Sequence, residues 1–266
     1  MFKKSKKQIN IVKLYGIISS GGRKNLSLAT VKKNIDKAFE PKETKAVALL
    51  INSPGGSPAQ SEMIANYVRE KSKETKIPVI SFVEDVAASG GYWLALAGED
   101  IYALSKSSIV GSLGVLHASF GLDEFIKKHG ISRRVHTAGK NKVSMDMFQA
   151  EKEEDIVRLK KMLAEIHTHF KDWVLSRREN KLKISEEDLF TGEYWVASSG
   201  LDKGLVDDIV VSMEHKLKEL YGNKININYI ESKKGFLSGL LSSKSSLYSD
   251  VVGEIKDSTH WSRFGL

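Results

Sequence analysis

Short apolar runs along the first half of the chain, at 9–18, 46–51, 78–83 and 133–136, read as strands. Between them, 29–39, 59–73 and 121–128 carry apolar residues every three or four positions, the spacing of a helix with one buried face. Strand and helix alternating in this way predict an α/β domain with a mostly parallel sheet and crossover helices. From 149 to about 178 the pattern becomes one long helix, with Ile156, Leu159, Met162, Leu163, Ile166, Phe170, Trp173 and Val174 on one side. That face packs on the sheet or on a neighbouring subunit. A short helix opens at Ser185, where Ser-Glu-Glu-Asp offers a cap and first-turn acids, and a last helix over 212–221 stops at Gly222-Asn223. Beyond 231 the chain turns serine-rich and glycine-punctuated, a low-complexity, mobile tail with a small apolar face at Phe236, Leu237, Leu240 and Leu241.

A chain of 266 residues with 41% hydrophobic content can fill the core of one such domain. It has no cysteine, which removes disulfides, a thiol nucleophile and thiolate zinc sites from consideration and suits a reducing compartment. Residues 1–7 form a basic arm, but the apolar stretch behind it is interrupted by Asn10, Lys13 and Gly16, too soon for a membrane span or an export signal. The expectation is a cytoplasmic protein without a transmembrane helix or signal peptide, with peripheral contact at the inner membrane through the basic arm or the apolar tail. Net charge is +8, from 41 basic and 33 acidic residues. The lysines are scattered among acids, with no aromatic–basic interleaving, so no nucleic-acid partner is expected.

Two glycine-rich turns follow predicted strands. In Asn52-Ser-Pro-Gly-Gly-Ser57, adjacent glycines let backbone N–H groups face the crevice at the carboxyl end of the sheet, where they can hold a developing oxyanion. Taken alone, the segment is an ordinary strand-to-helix turn. It lacks the Gly-Lys-Ser/Thr pattern of a nucleotide loop. In Ala87-Ala-Ser-Gly-Gly-Tyr-Trp93, Ser89 stands where an apolar helix begins, as a nucleophile or as a simple N-cap. The pairing of the two turns favours the nucleophile.

These two motifs resemble those of the signal peptide peptidase A and protease IV family, peptidase family S49, which has the ClpP/crotonase fold. Ser108-Ile-Val-Gly-Ser-Leu-Gly-Val115 resembles the family's segment after the nucleophile. The stretches Gly192-Glu-Tyr-Trp-Val-Ala197 and Gly204-Leu-Val-Asp-Asp208 resemble its late helix and strand, so the resemblance covers roughly 8–215. It implies a peptidase domain over 8–230, flanked by the arm at 1–7 and the tail at 231–266. It implies Ser89 as nucleophile, with Gly55, Gly56 and Gly90 as oxyanion donors and no metal or cofactor. The base it implies is a lysine in Thr137-Ala-Gly-Lys140-Asn-Lys142-Val-Ser144. Lys142, three residues after the glycine, fits the family's spacing, and Lys140 is its competitor. Ser112 orients the base or lines the pocket, if it is not a plain turn serine.

The resemblance also implies peptide substrates such as cleaved signal peptides or unfolded polypeptides. It implies a homo-oligomeric ring in which serine and lysine meet across a subunit boundary. Three other readings stay open: a Ser–His peptidase using His117, a crotonase-like acyl-CoA enzyme, and an inactive oligomeric scaffold. Asp85 reads as a turn or interface residue.

Overall fold

The computed structural model describes residues 7–20, 25–40, 43–230 and 261–265. In chain order the elements are β1 (Lys7–Tyr15), α1 (Leu28–Phe39), β2 (Thr44–Ser53), α2 (Pro58–Thr75), β3 (Val79–Ala88), α3 (Gly90–Ala95), β4 (Asp100–Ala103) and β5 (Ile109–Gly111). They continue with α4 (Asp123–Lys128), α5 (Glu153–Arg178), α6 (Glu186–Leu189), β6 (Tyr194–Val196), α7 (Ala197–Lys203), β7 (Asp208–Ile209), α8 (Met213–Tyr221) and β8 (Ile225–Tyr229). The eight strands form one sheet in the order β6-β5-β3-β2-β1-β8, with β4 pairing β3 and β7. Every pairing is parallel except β5 with β6.

The chain divides into two compact units, residues 1–113 with 171–266, and residues 114–170. The first holds the sheet. Its central strands are buried on both faces, which is why they read as continuous apolar runs instead of alternating ones. On one face Ile9, Ile11, Ala46, Ala48, Leu50, Ile80 and Phe82 pack with Met213 and Leu217 of α8. On the other, α1 lies against β1 and β2, α3 against β2 and β3, and α2 packs on both helices. Each large apolar side chain buried this way contributes about 1.5–3 kcal/mol. Asn10, which interrupts the first apolar run, is fully buried and fully satisfied. Its Nδ2 donates to the Ala38 carbonyl at the end of α1 (2.8 Å) and to Thr44 Oγ1 (3.0 Å), while its Oδ1 accepts from Gln8 and Asn228. A residue that reads as a break in the strand therefore fastens α1 and β8 to β1.

The second unit holds α4 and the greater part of α5, joined by irregular backbone. The strand expected at 133–136 does not form, because three of its four residues are polar and no strand among the described residues pairs with it. All four are exposed, and Arg133 instead pairs with Asp146 (2.7 Å) and lies over the Phe148 ring. Exposed Leu116, Phe120, Phe125, Ile131, Val157 and Met162 give this unit an unusually apolar surface.

Other expectations at the ends of elements resolve simply. The Ser185 hydroxyl accepts from the Asp188 amide at 3.2 Å, as a cap should, and α8 ends at Gly222. The first strand ends at Tyr15 instead of residue 18, since Gly16 turns the backbone to φ +96°. The basic arm at 1–6 and the tail at 231–260, including Phe236, Leu237, Leu240 and Leu241, lie outside the described residues.

One polar cluster fastens the end of α5 to the sheet. Arg178, 2% exposed, donates through Nε to the Gly204 carbonyl (3.0 Å) and pairs with Asp207 (2.6 Å). Asp207 also takes the Lys181 ammonium (2.8 Å) and the Ile101 amide (2.7 Å). Burial alone would raise the Asp207 pKa, but hydrogen bonds from Arg178 and Lys181 outweigh it and hold the carboxyl below its ordinary range. Because the folded-state value is depressed, its stabilisation is complete above the unfolded value of about 3.9 and is lost as pH falls through the folded value. Arg178→Ala is expected to cost about 3–5 kcal/mol in urea denaturation at neutral pH. Asp207→Asn should flatten the acid limb of the stability–pH curve below about pH 5. An unchanged limb would show that this carboxylate carries no acid sensitivity.

Candidate active site

Both glycine-rich turns leave the carboxyl ends of adjacent parallel strands, β2 and β3, and lead into α2 and α3. After Ser53 the chain passes Pro54 to Gly55 (φ +102°) and Gly56 (φ +139°), and Ser57 caps α2 by accepting from the Gln60 amide at 3.4 Å. The Ile18 backbone clamps this turn, donating to the Gly55 carbonyl (2.8 Å) and accepting from the Ser57 amide (2.7 Å). A methyl group on Gly56 would lie 2.1 Å from the Ile18 carbonyl oxygen, so a side chain there would force the clamp open.

The second turn is pressed against the first. A Cβ on Gly55 would fall 2.9 Å from both the Ser89 Cβ and the Gly90 nitrogen, and one on Gly91 would fall 2.3 Å from the Ser53 carbonyl oxygen. Glycine at these positions is what allows the two strand ends to approach so closely. Asn52 adds a polar tie, donating to the Asp85 carboxylate at 2.6 Å, which makes Asp85 an exposed brace between the turns.

Ser89 sits at φ +52°, ψ −121°, a conformation that L side chains rarely adopt. Its amide donates to the Gly111 carbonyl (2.8 Å) and its carbonyl accepts from the Trp93 amide (3.0 Å), so the backbone is held on both sides. The side chain makes no capping bond to α3, and its hydroxyl has no hydrogen-bond partner among the described residues. The N-cap reading of Ser89 is therefore set aside. The half-buried hydroxyl is held in a strained turn and left unengaged.

Three backbone amides adjoin it. That of Gly55 is turned inward, donating to Ser53 Oγ at 3.2 Å. Those of Gly56 and Gly90 have no hydrogen-bond partner among the described residues, and the Gly56 nitrogen is 3.4 Å from where a Gly90 Cβ would stand. A hydroxyl beside two open N–H groups can attack a carbonyl and offer donors to the oxyanion that forms.

Ser112 is buried at φ +55° and directly follows Gly111, the residue that accepts from the Ser89 amide; its own amide donates to the Glu193 carbonyl (2.7 Å). The first unit thus gathers Gly55, Gly56, Ser89, Gly90 and Ser112. Lys140, Lys142 and His117 belong to the second unit, all exposed. Sequence reasoning gave no role to Ser53 or Gly111. Ser53, fully buried, ties Gly55 to the Gly16 carbonyl (2.7 Å). Its place in the 52–57 turn motif was the signal that could have found it.

Residues 71–221 match the model of peptidase family S49. A Brucella abortus protein named Na(+)/H(+) antiporter NhaA is 47% identical over 239 residues, 89% of this chain and 32% of its own length. A putative protease of Methanocaldococcus jannaschii is 34% identical, over 70% of this chain and 58% of that protein. A putative signal peptide peptidase SppA of Enterococcus faecium is 26% identical, over 95% and 76%. The chain therefore spans about a third of the first relative's length and under two thirds of the second's.

Strain at Ser89 has a measurable signature. Ser89→Gly is expected to be more stable than Ser89→Ala by about 1–2 kcal/mol in urea, because glycine relieves the positive φ and alanine does not. Equal stabilities would mean that the turn stores no strain.

Proposed function

The chain belongs to peptidase family S49, and on that footing we propose that it is a serine endopeptidase with Ser89 as nucleophile and Lys142 as general base. The observation that carries this is the Ser89 hydroxyl, unengaged in a strained turn and flanked by the open Gly56 and Gly90 amides. In the proposed reaction neutral Lys142 takes the proton from Ser89 Oγ, which attacks the peptide carbonyl. The two amides stabilise the oxyanion, the lysine protonates the leaving amine, and water releases the acyl-enzyme with the same base. Gly55 serves by leaving room, since its own amide is turned inward. The strained serine favours this reading over an acyl-CoA enzyme of the same fold, which needs the amides but no nucleophile.

An exposed ammonium cannot accept a proton, so Lys142 must be desolvated beside Ser89 to act. A neighbouring subunit supplies that surrounding in our reading. The apolar side chains exposed on the lysine-bearing unit support a homo-oligomer whose dyads form between copies. Substrates are taken to be peptides, cleaved signal peptides or unfolded segments among them. No helix among the described residues is long and apolar enough to cross a membrane, and contact with a membrane surface is proposed as peripheral. The antiporter name belongs to a relative of which this chain spans a third, and ion transport is not carried over.

Hydrolysis of casein should fall at least about a hundredfold in Ser89→Ala and in Lys142→Ala, and by no more than several-fold in Lys140→Ala. Full activity in either of the first two would refute the dyad. Co-assembling the two inactive variants in equal amounts tests the shared site. If serine and lysine come from different copies, about a quarter of the sites regain both groups. No recovery would place both in one chain.

A further inference from the structure

The last described residues, 261–265, pack on the strands that lead to Ser89. Phe264 is buried against Val86 and Ala88 of β3, and Trp261 and Ile109 complete the cluster. The Phe264 ring meets Tyr194 edge-on with centroids 5.0 Å apart, and the Tyr194 hydroxyl donates to the Arg263 carbonyl (3.1 Å). In register, Val86, Ile109 and Val196 form one row across β3, β5 and β6, and Ala88, Gly111 and Tyr194 the next. These rows make a shallow apolar cup whose smallest residues, Ala88 and Gly111, lie in the second row. Its inner edge is Ala88, the residue before Ser89, and Gly111, which accepts from the Ser89 amide.

The segment sits in this cup as a ligand would. Ser262, Arg263 and Gly265 are exposed; the Phe264 and Gly265 amides donate within the turn, to the Trp261 and Ser262 carbonyls, and the Arg263 carbonyl accepts from Tyr194. Two aromatic side chains seat it on a surface that would otherwise present bare apolar strand next to an unengaged hydroxyl.

We propose that Trp261 and Phe264 act as a tethered internal competitor, occupying a cup that accepts aromatic-bearing apolar segments of the polypeptide substrate and so restraining the site. This rests on the peptidase reading above. Covalent attachment sets the competitor's local concentration, so only segments that bind well displace it.

The test uses the full chain, its Trp261→Ala/Phe264→Ala variant and a fluorescein-labelled Trp-Ser-Arg-Phe-Gly-Leu peptide followed by anisotropy. The peptide is expected to bind the double variant at least about tenfold more tightly than the unaltered chain, with Trp261→Ala alone in between. Adding Tyr194→Ala to the double variant should abolish binding. For casein, KM should fall several-fold in the double variant with kcat unchanged.

Equal binding to both chains, or none to a variant with native circular dichroism, would overturn the proposal. So would a double variant that melts lower and takes no peptide, the behaviour of a structural plug. If the double variant does not fold, Trp261→Ala decides: affinity no higher than that of the unaltered chain overturns the proposal. The expected binding pattern without hydrolysis by any chain would refute the peptidase reading and leave the cup standing. Hydrolysis with no peptide binding would do the reverse.

Discussion

The structure depends on an interlock between two strand-to-helix turns that leaves no room for a side chain. Gly55 lies against Ser89 and Gly90, Gly91 against the Ser53 carbonyl, and Gly56 against Ile18, at distances that a Cβ would bring below ordinary contact. The close approach fixes Ser89 at positive φ, and the Gly111 carbonyl holds its amide there. A serine free to relax would cap α3 with its own hydroxyl. Held as it is, the side chain is withheld from the helix and left available, and the Gly56 and Gly90 amides stay open beside it. Local strain of this kind persists only where the surrounding structure over-determines it. Here the surroundings are the centre of a buried parallel sheet.

Much of this was legible in the sequence, and the reasons differ from place to place. The long apolar runs of β1, β2 and β3 are visible because both their faces are buried, and α1, α2 and α8 because one apolar stripe recurs at helical spacing. The paired motifs around Gly55-Gly56 and Ser89-Gly90 marked the site because glycine and serine at strand ends are informative only together. Strands β4, β5, β6 and β8 escaped notice, being three to five residues long and defined by their neighbours more than by their own pattern, and only the family resemblance pointed to a late strand near β7. The segment 133–136 failed for the opposite reason: a β-branched residue among polar ones suggested a strand, and no partner strand lies beside it among the described residues. Asn10 looked like an interruption, since a buried amide's partners, Ala38, Thr44 and Asn228, are distant in sequence and invisible to a local reading.

The lysine is where sequence and structure divide the problem most unequally. The resemblance to the S49 family favours Lys142, with Lys140 as its competitor, yet nothing local distinguishes either side chain from the many other lysines of the surface. Lys142 is an exposed residue of one compact unit, and Ser89 is an unengaged serine of the other. In the proposed reading, assembly between copies brings the two together. Trp261 and Phe264 cover the apolar strand residues next to Ser89.

The central claim is that the Ser89 hydroxyl is the reactive group. Incubation of the purified chain with a serine-directed fluorophosphonate, followed by peptide mass spectrometry, tests it most directly. The account predicts a single phosphonyl adduct, on Ser89, formed slowly or not at all in Lys142→Ala at neutral pH. An adduct on another residue, or none on a chain that still hydrolyses casein, would contradict it.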